Sequence, residues 1–355
     1  MADTKSLAQR RSDGVWRARP RRWPFPLWLA LFYPAWALTL WLGGWAHDAL
    51  AQWPVAAAMV FGSYVAGATP MGGGTVAFPI LVLLMDQPPS VGRAFAFAAQ
   101  STGMTSAVIF IVASGRPLAL RLLRWTMLGS VIGVPIGLAA LTPIVPALWV
   151  KLIFACLWAS FGVLMFARLS EFARFEGVTP VSARFDRSLG LGVGLLGGAG
   201  VVAVTGVGIE MLVFTALLLI RRADLKIAIP TAVAGAAFAS LVGLVASSAL
   251  HASDPARHPL SPGVLHAWLA AAPIIVLGAP LGSFMMSVIP RTWTLLFVAA
   301  LCILQFVWMG ADSGLSPGGW AAAVGGVAAA NVAFVGLRRA GLRFSAGESS
   351  AGAAR

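Results

Sequence analysis

Glu210 lies two residues past Thr205-Gly206-Val207-Gly208 and opens the apolar run Met211–Ile220, which stops at Arg221-Arg222. It is the one acidic residue that the pattern places inside an apolar segment. A carboxylate in hydrocarbon costs roughly 2.5–3.5 kcal/mol on insertion scales, so its presence needs a reason. Two are open. It can cap the helix that restarts after the glycines, where the helix dipole favours negative charge. Or it can take up and release a proton, since low dielectric brings its neutral and charged forms close in energy.

Glycine-broken apolar runs carry the second kind of chemistry. Gly72-Gly73-Gly74-Thr75 interrupts one run and Gly206-Val207-Gly208-Ile209 another. A break leaves backbone N–H and C=O groups unpaired, which the bilayer tolerates only beside protein or a watery cavity. Each following arm begins a helix with free N–H donors, a setting that suits an anion. Close helix packing through small residues is the plainer use of such glycines. Paired breaks at corresponding places favour a site, with Gly72, Gly73, Gly74, Thr75, Gly206, Gly208 and Ile209 as its substrate-binding residues and Glu210 as its proton-coupling group. Gln100, Ser101 and Thr102 join the substrate-binding set, because three consecutive polar residues in mid-span must face protein or water on at least one side. Thr69, Thr105, Ser106, Thr215, Thr231 and Ser240 are scattered polar residues of the kind that bond their own helix.

Arg93, at the mouth of its span, and Lys226 could recruit anions, but read first as interfacial anchors. His47, His251, His258 and His266 match no ligand spacing, so no metal site is expected. Cys156 and Cys302 sit in apolar runs without a C-x-x-C and read as small buried hydrophobes. No H-E-x-x-H and no G-x-x-x-x-G-K-[ST] occurs, so neither a zinc hydrolase nor an ATP-driven pump is indicated, and no cofactor is expected.

The elements that position these residues follow from composition. Of 355 residues 59% are hydrophobic and 10% charged, against about 25% charged in soluble domains. The chain is an all-α polytopic membrane protein. Its formal charge of +13 is spread in clusters between apolar runs, as topology signals are, and not in a nucleic-acid surface. Spans are expected at 27–45, 94–114, 122–142, 148–168, 227–249, 265–288, 293–310 and 319–337. Broken elements fall at 54–85 and 189–220. With both termini cytoplasmic in a cell (inner) membrane, only Arg93, Lys151 and Arg257 among the 25 basic residues lie on or near the outer side.

On this layout the first broken element enters from outside and the second from the cytoplasm, each followed by three spans. That is an inverted repeat of two halves, the architecture of many secondary transporters. The division is a basic cytoplasmic tail (1–26), a first span and outer loop (27–53), the first repeat (54–168), a cytoplasmic linker (169–187), the second, inverted repeat (188–310), a last span (311–337) and a cytoplasmic tail (338–355). The last tail, rich in Ser, Gly and Ala, is expected to lack structure. At a constant offset Gly72 aligns with Gly206, Gly74 with Gly208 and Leu83 with Leu217.

Gly72-Gly73-Gly74-Thr75-Val76-Ala77-Phe78-Pro79-Ile80-Leu81 with Pro88-Pro89 downstream resembles the TauE/SafE family of sulfite exporters. So does Gly206-Val207-Gly208-Ile209-Glu210-Met211, followed by Ala223-Asp224-Leu225-Lys226-Ile227-Ala228-Ile229-Pro230-Thr231. The resemblance spans about 54–310. It implies a carrier of sulfite or an organosulfur anion. Together these readings give a secondary transporter that exports a small anion, coupled to protons by alternating access at the two breaks. Its partners would be the lipid bilayer, the anion and protons, with a homodimer possible and nucleic acid excluded. The alternatives are a channel or a non-transporting assembly partner, and further off an intramembrane enzyme.

Overall fold

The computed structural model describes residues 14–70, 74–172, 174–285, 288 and 291–353. Met71, Gly72 and Gly73 lie outside them. Helix α1 (Pro24–Gly43) starts on a proline and stops at Gly44, whose φ of 66° suits a residue without Cβ. It lies on the outside of the bundle. Trp28 Nε1 donates to Ser106 Oγ (3.1 Å), Tyr33 OH to the Pro273 carbonyl (2.9 Å) and Trp36 Nε1 to the Leu269 carbonyl (2.8 Å). A short helix, α2 (Ala46–Ala51), leads to α3 (Trp53–Ala68). After the first break come α4 (Gly74–Pro79), a π turn over Ile80–Leu84, and α5 (Pro89–Ala113). Helix α6 (Leu120–Ile136) runs on through a π turn at Gly137–Leu141, and α7 (Ala147–Phe172) closes the first half.

The second half begins with α8 (Ala183–Gly192), capped by Ser182, whose hydroxyl accepts from Phe185 N–H at 3.2 Å. It continues as a π-helix over Val193–Val202 and a last α turn, Ala203–Thr205. After the second break come α9 (Ile209–Leu219), α10 (Leu225–Ser253), α11 (Pro262–Met285), α12 (Arg291–Asp312) and α13 (Pro317–Ala353). Nine helices among the described residues are long and apolar enough to cross a membrane, and α3 and α9 are shorter apolar helices. The chain is thus a multi-pass, all-α membrane protein. One of the nine runs from Ala183 to Thr205, so the arm before the second break is of full length, unlike α3. Two segments differ from the sequence reading. The tail beyond Arg338 continues α13 to Ala353, since its small residues include no proline to stop it. In the N-terminal tail, β1 (Trp16–Arg17) pairs antiparallel with β2 (Pro117–Leu118) under the start of α6.

Helices pack in a regular pattern. Helix α3 lies along α11, and α8 with its π continuation lies along α6. Helix α5 lies along α10, and α7 along α12. The arms α4 and α9 lie on α5 and α10. Small residues permit these approaches. A side chain at Gly67 would strike the Ala279 carbonyl, and one at Gly282 the Tyr64 carbonyl. In the matching crossing, one at Gly194 would strike the Thr126 carbonyl and one at Gly133 the Leu195 carbonyl. Both arms also end alike: Asp86 (φ 48°) and Arg222 (φ 44°) are the positive-φ residues other than glycine among the described residues.

Candidate functional site

The second break is built by two glycines and a threonine. Gly206 has φ 83° and Gly208 φ 111°, where an L side chain is strained. Space forbids one too. A Cβ at Gly206 would lie 2.7 Å from the Arg93 carbonyl, and one at Gly208 would lie 2.7 Å from Val201 Cγ1 and 3.3 Å from the Trp158 ring. The Thr205 hydroxyl donates to the Val201 carbonyl (2.9 Å) and accepts from Val207 N–H (3.3 Å), satisfying backbone that the break would leave open. Gly208 is then the N-cap of α9, and Glu210 falls in its first turn.

Glu210 is fully buried, and so is what it touches. Gln100, from mid-α5, donates its amide to Glu210 Oε1 at 3.3 Å. Ser240, from mid-α10, donates its hydroxyl to Gln100 Oε1 at 2.6 Å. All three are at most 1% exposed. The relay Ser240–Gln100–Glu210 therefore joins a helix of the first half to two of the second. Glu210 Oε2 has no hydrogen-bond partner, and among the described residues no arginine or lysine pairs with the carboxyl. A buried carboxyl that meets only neutral donors and keeps one open oxygen is equipped to hold a proton on that oxygen.

The other expected site residues divide. Ser101 and Thr102 both turn back to the Ala98 carbonyl (2.9 and 3.1 Å), and Thr102 Oγ1 accepts from Trp268 Nε1 at 2.9 Å. Neither touches the relay. That bond ties Trp268 of α11 to α5. The Ile209 side chain is packed in the core, so this residue offers the break only its backbone. Gly74 starts α4, as the sequence suggested; Gly72 and Gly73 lie outside the described residues. An aromatic stack links the arm after the first break to the second break. Phe78 of α4 stacks on Phe154 (4.8 Å between centroids), and Phe154 on Trp158 (4.3 Å), whose edge meets Gly208.

Sequence reasoning missed Ser240 as a member of the relay and Trp158 altogether. A hydroxyl in the middle of a long apolar span was the available signal for the first. It also missed a second buried carboxylate. Asp186, at the start of α8, is fully buried between Arg221, which bonds it directly, and Arg121, at 3.8 Å. Arg221 Nε donates to the Thr179 carbonyl as well, at 2.8 Å. Gly314-Leu315-Ser316-Pro317-Gly318 has G-x-S-x-G spacing, but it links two helices, and the Ser316 hydroxyl accepts from Gly319 N–H (3.1 Å) at the head of α13. The strand-to-helix turn of a nucleophile elbow is not there. Asp224 caps α10, accepting from Lys226 N–H at 2.8 Å, while Lys226 itself is exposed.

A bundle of membrane-spanning helices with a glycine break next to a buried polar relay defines a multi-pass membrane protein with a polar site in its interior. Residues 55–309 match the family model described as Sulfite exporter TauE/SafE, and the chain belongs to that family of membrane transporters. Neither a curated protein nor a solved structure matches it.

Proposed function

We propose that this chain is a proton-coupled exporter of a small sulfur anion, sulfite or an organosulfur anion, working by alternating access in a cell (inner) membrane with both termini cytoplasmic. The observation that carries the proposal is the Ser240–Gln100–Glu210 relay, with a carboxyl that no cation among the described residues neutralises. Protonation of Glu210 removes a negative charge beside the N-terminus of α9, and with it the repulsion toward an arriving anion. The ionised carboxylate and the anion compete for one set of donors, which couples proton binding to anion binding.

Helix pairing supports an inverted repeat. In chain order α3 corresponds to α8, α5 to α10, α6 to α11 and α7 to α12. Under that exchange the packing of α3 on α11 becomes that of α8 on α6, while the α5–α10 and α7–α12 pairs map onto themselves. The matched turns at Asp86 and Arg222 follow the same rule. The relay crosses the α5–α10 pair on the pseudo-symmetry axis, where a carrier's site stays fixed as the halves rock.

The test is uptake of sulfite and of sulfoacetate into proteoliposomes with an imposed pH gradient, beside protein-free vesicles. The expected result is saturable uptake that reverses direction with the gradient. Flux that does not saturate makes the protein a channel. No flux of either anion under either gradient removes the reading of a sulfur-anion exporter.

A further inference from the structure

The topology leaves three cations on the outer side, and they differ in what they meet. Lys151 is paired with Asp312 at 2.9 Å. Arg93 and Arg257 have no carboxylate or hydrogen-bond acceptor for their guanidinium groups among the described residues, and both line one cleft of about 240 Å³ at the outer ends of α5 and α10. Arg93 is half-buried, and its backbone is the surface on which Gly206 of the second break rests. Hydroxyls of Ser90 and Ser247 line the same cleft. A guanidinium that is partly desolvated and unpaired is costly unless an anion completes it.

The cleft has an apolar neighbour. A groove of about 390 Å³, within the range of ligand pockets, runs over α5 between α10 and α11, walled by Phe97, Leu244, Leu265 and Trp268. The two spaces share Ala94, Ser247 and Leu260, so they form one two-part vestibule. We infer that this vestibule is a binding site for an amphiphilic organic anion, its charged head on Arg93 and Arg257 and its apolar body in the groove between α10 and α11. The inference deepens the transport reading: it rests on the chain being an anion carrier, and it says that cargo with an apolar body is held at the outer mouth.

Calorimetric titration of the full chain in nanodiscs with methane-, butane- and hexanesulfonate tests it, with hexanol as the neutral control. Affinity should rise about three- to fourfold for each CH₂ that the groove covers, and hexanol should not bind. Arg93→Gln should weaken every sulfonate about tenfold, with Arg93→Lys restoring part of it. Ser248→Phe, on the rim of the groove, should weaken hexanesulfonate more than methanesulfonate and so flatten the series. A flat series in the wild type, or Arg93→Gln binding as the wild type does, overturns the inference. Equal binding of hexanol makes the groove a lipid slot and overturns it too. Because binding is read without flux, the two claims fail separately. A chain-length series that holds in a protein without gradient-driven flux leaves this site and removes the carrier. Flux without the series does the reverse.

Discussion

Asp186 and Glu210 are both carboxylates sealed from solvent, on either side of the same break, and they are treated in opposite ways. Asp186 lies between two arginines drawn from separate elements, Arg121 of α6 and Arg221 beyond α9. The pair with Arg221 ties the start of α8 to the end of the arm that returns from the break. Glu210 is given a neutral amide and an oxygen with no partner. One carboxylate is tied to arginines as a strut, and the other meets no cation among the described residues. Burial alone therefore does not tell the two apart; the company of the buried charge does.

The contrast can be broken most severely at the strut. Asp186→Ala strands Arg221 as a buried, uncompensated charge, and breaking such a pair costs about 3–5 kcal/mol. The purified variant should show a sharply lowered Tm in detergent and poor yield. A Tm near that of the wild type would mean that the pair holds nothing together. Glu210→Gln probes the other side: it keeps a group able to accept from Gln100, so Tm should hardly move, while accumulation driven by a pH gradient should fall at least about tenfold, equivalent to about 1.4 kcal/mol.

Smaller effects sharpen the comparison. Gly206→Ala imposes a left-handed backbone on a residue with Cβ, at roughly 1–2 kcal/mol, and pushes against the Arg93 carbonyl. Slower transport with modest loss of Tm is expected, and unchanged rates would make this glycine a packing residue only. Ser240→Ala removes the outermost link of the relay at about 0.5–1.5 kcal/mol. It should alter the pH profile of transport less than Gln100→Leu does, because Gln100 bonds the carboxyl directly and Ser240 reaches it only through Gln100. Identical profiles for both variants would detach the relay from the proton.

Glu210, Gly206 and Gly208 were legible because a lone carboxylate in an apolar run and glycines at a break each have few physical uses. Gln100 was legible as a mid-span amide, which cannot be left facing hydrocarbon. Its neighbours Ser101 and Thr102 stay out of the relay for a local reason: hydroxyls can bond the carbonyl a turn back, and both do. Asp186 was hidden because it sits among Arg184 and Arg187, where a charge reads as a solvated loop. What buries it is Arg221, brought in from the far end of the broken element, and no local pattern encodes that meeting. The π-helix at Val193–Val202 was likewise invisible, since a run of Gly, Leu and Val has the composition of any close-packed span. The proposed vestibule did leave a trace: Arg93 and Arg257, which the expected topology sets on the outer side, have no carboxylate partner among the described residues.

The central claim is that Glu210 carries the proton. The direct measurement is the lumenal pH of proteoliposomes holding a trapped pH dye, followed as sulfoacetate flows down its own gradient without any imposed pH difference. The wild type should move protons in step with the anion, and Glu210→Gln should move anion by exchange while lumenal pH stays flat. Proton movement in Glu210→Gln at the wild-type ratio would contradict the account and shift the coupling to another group.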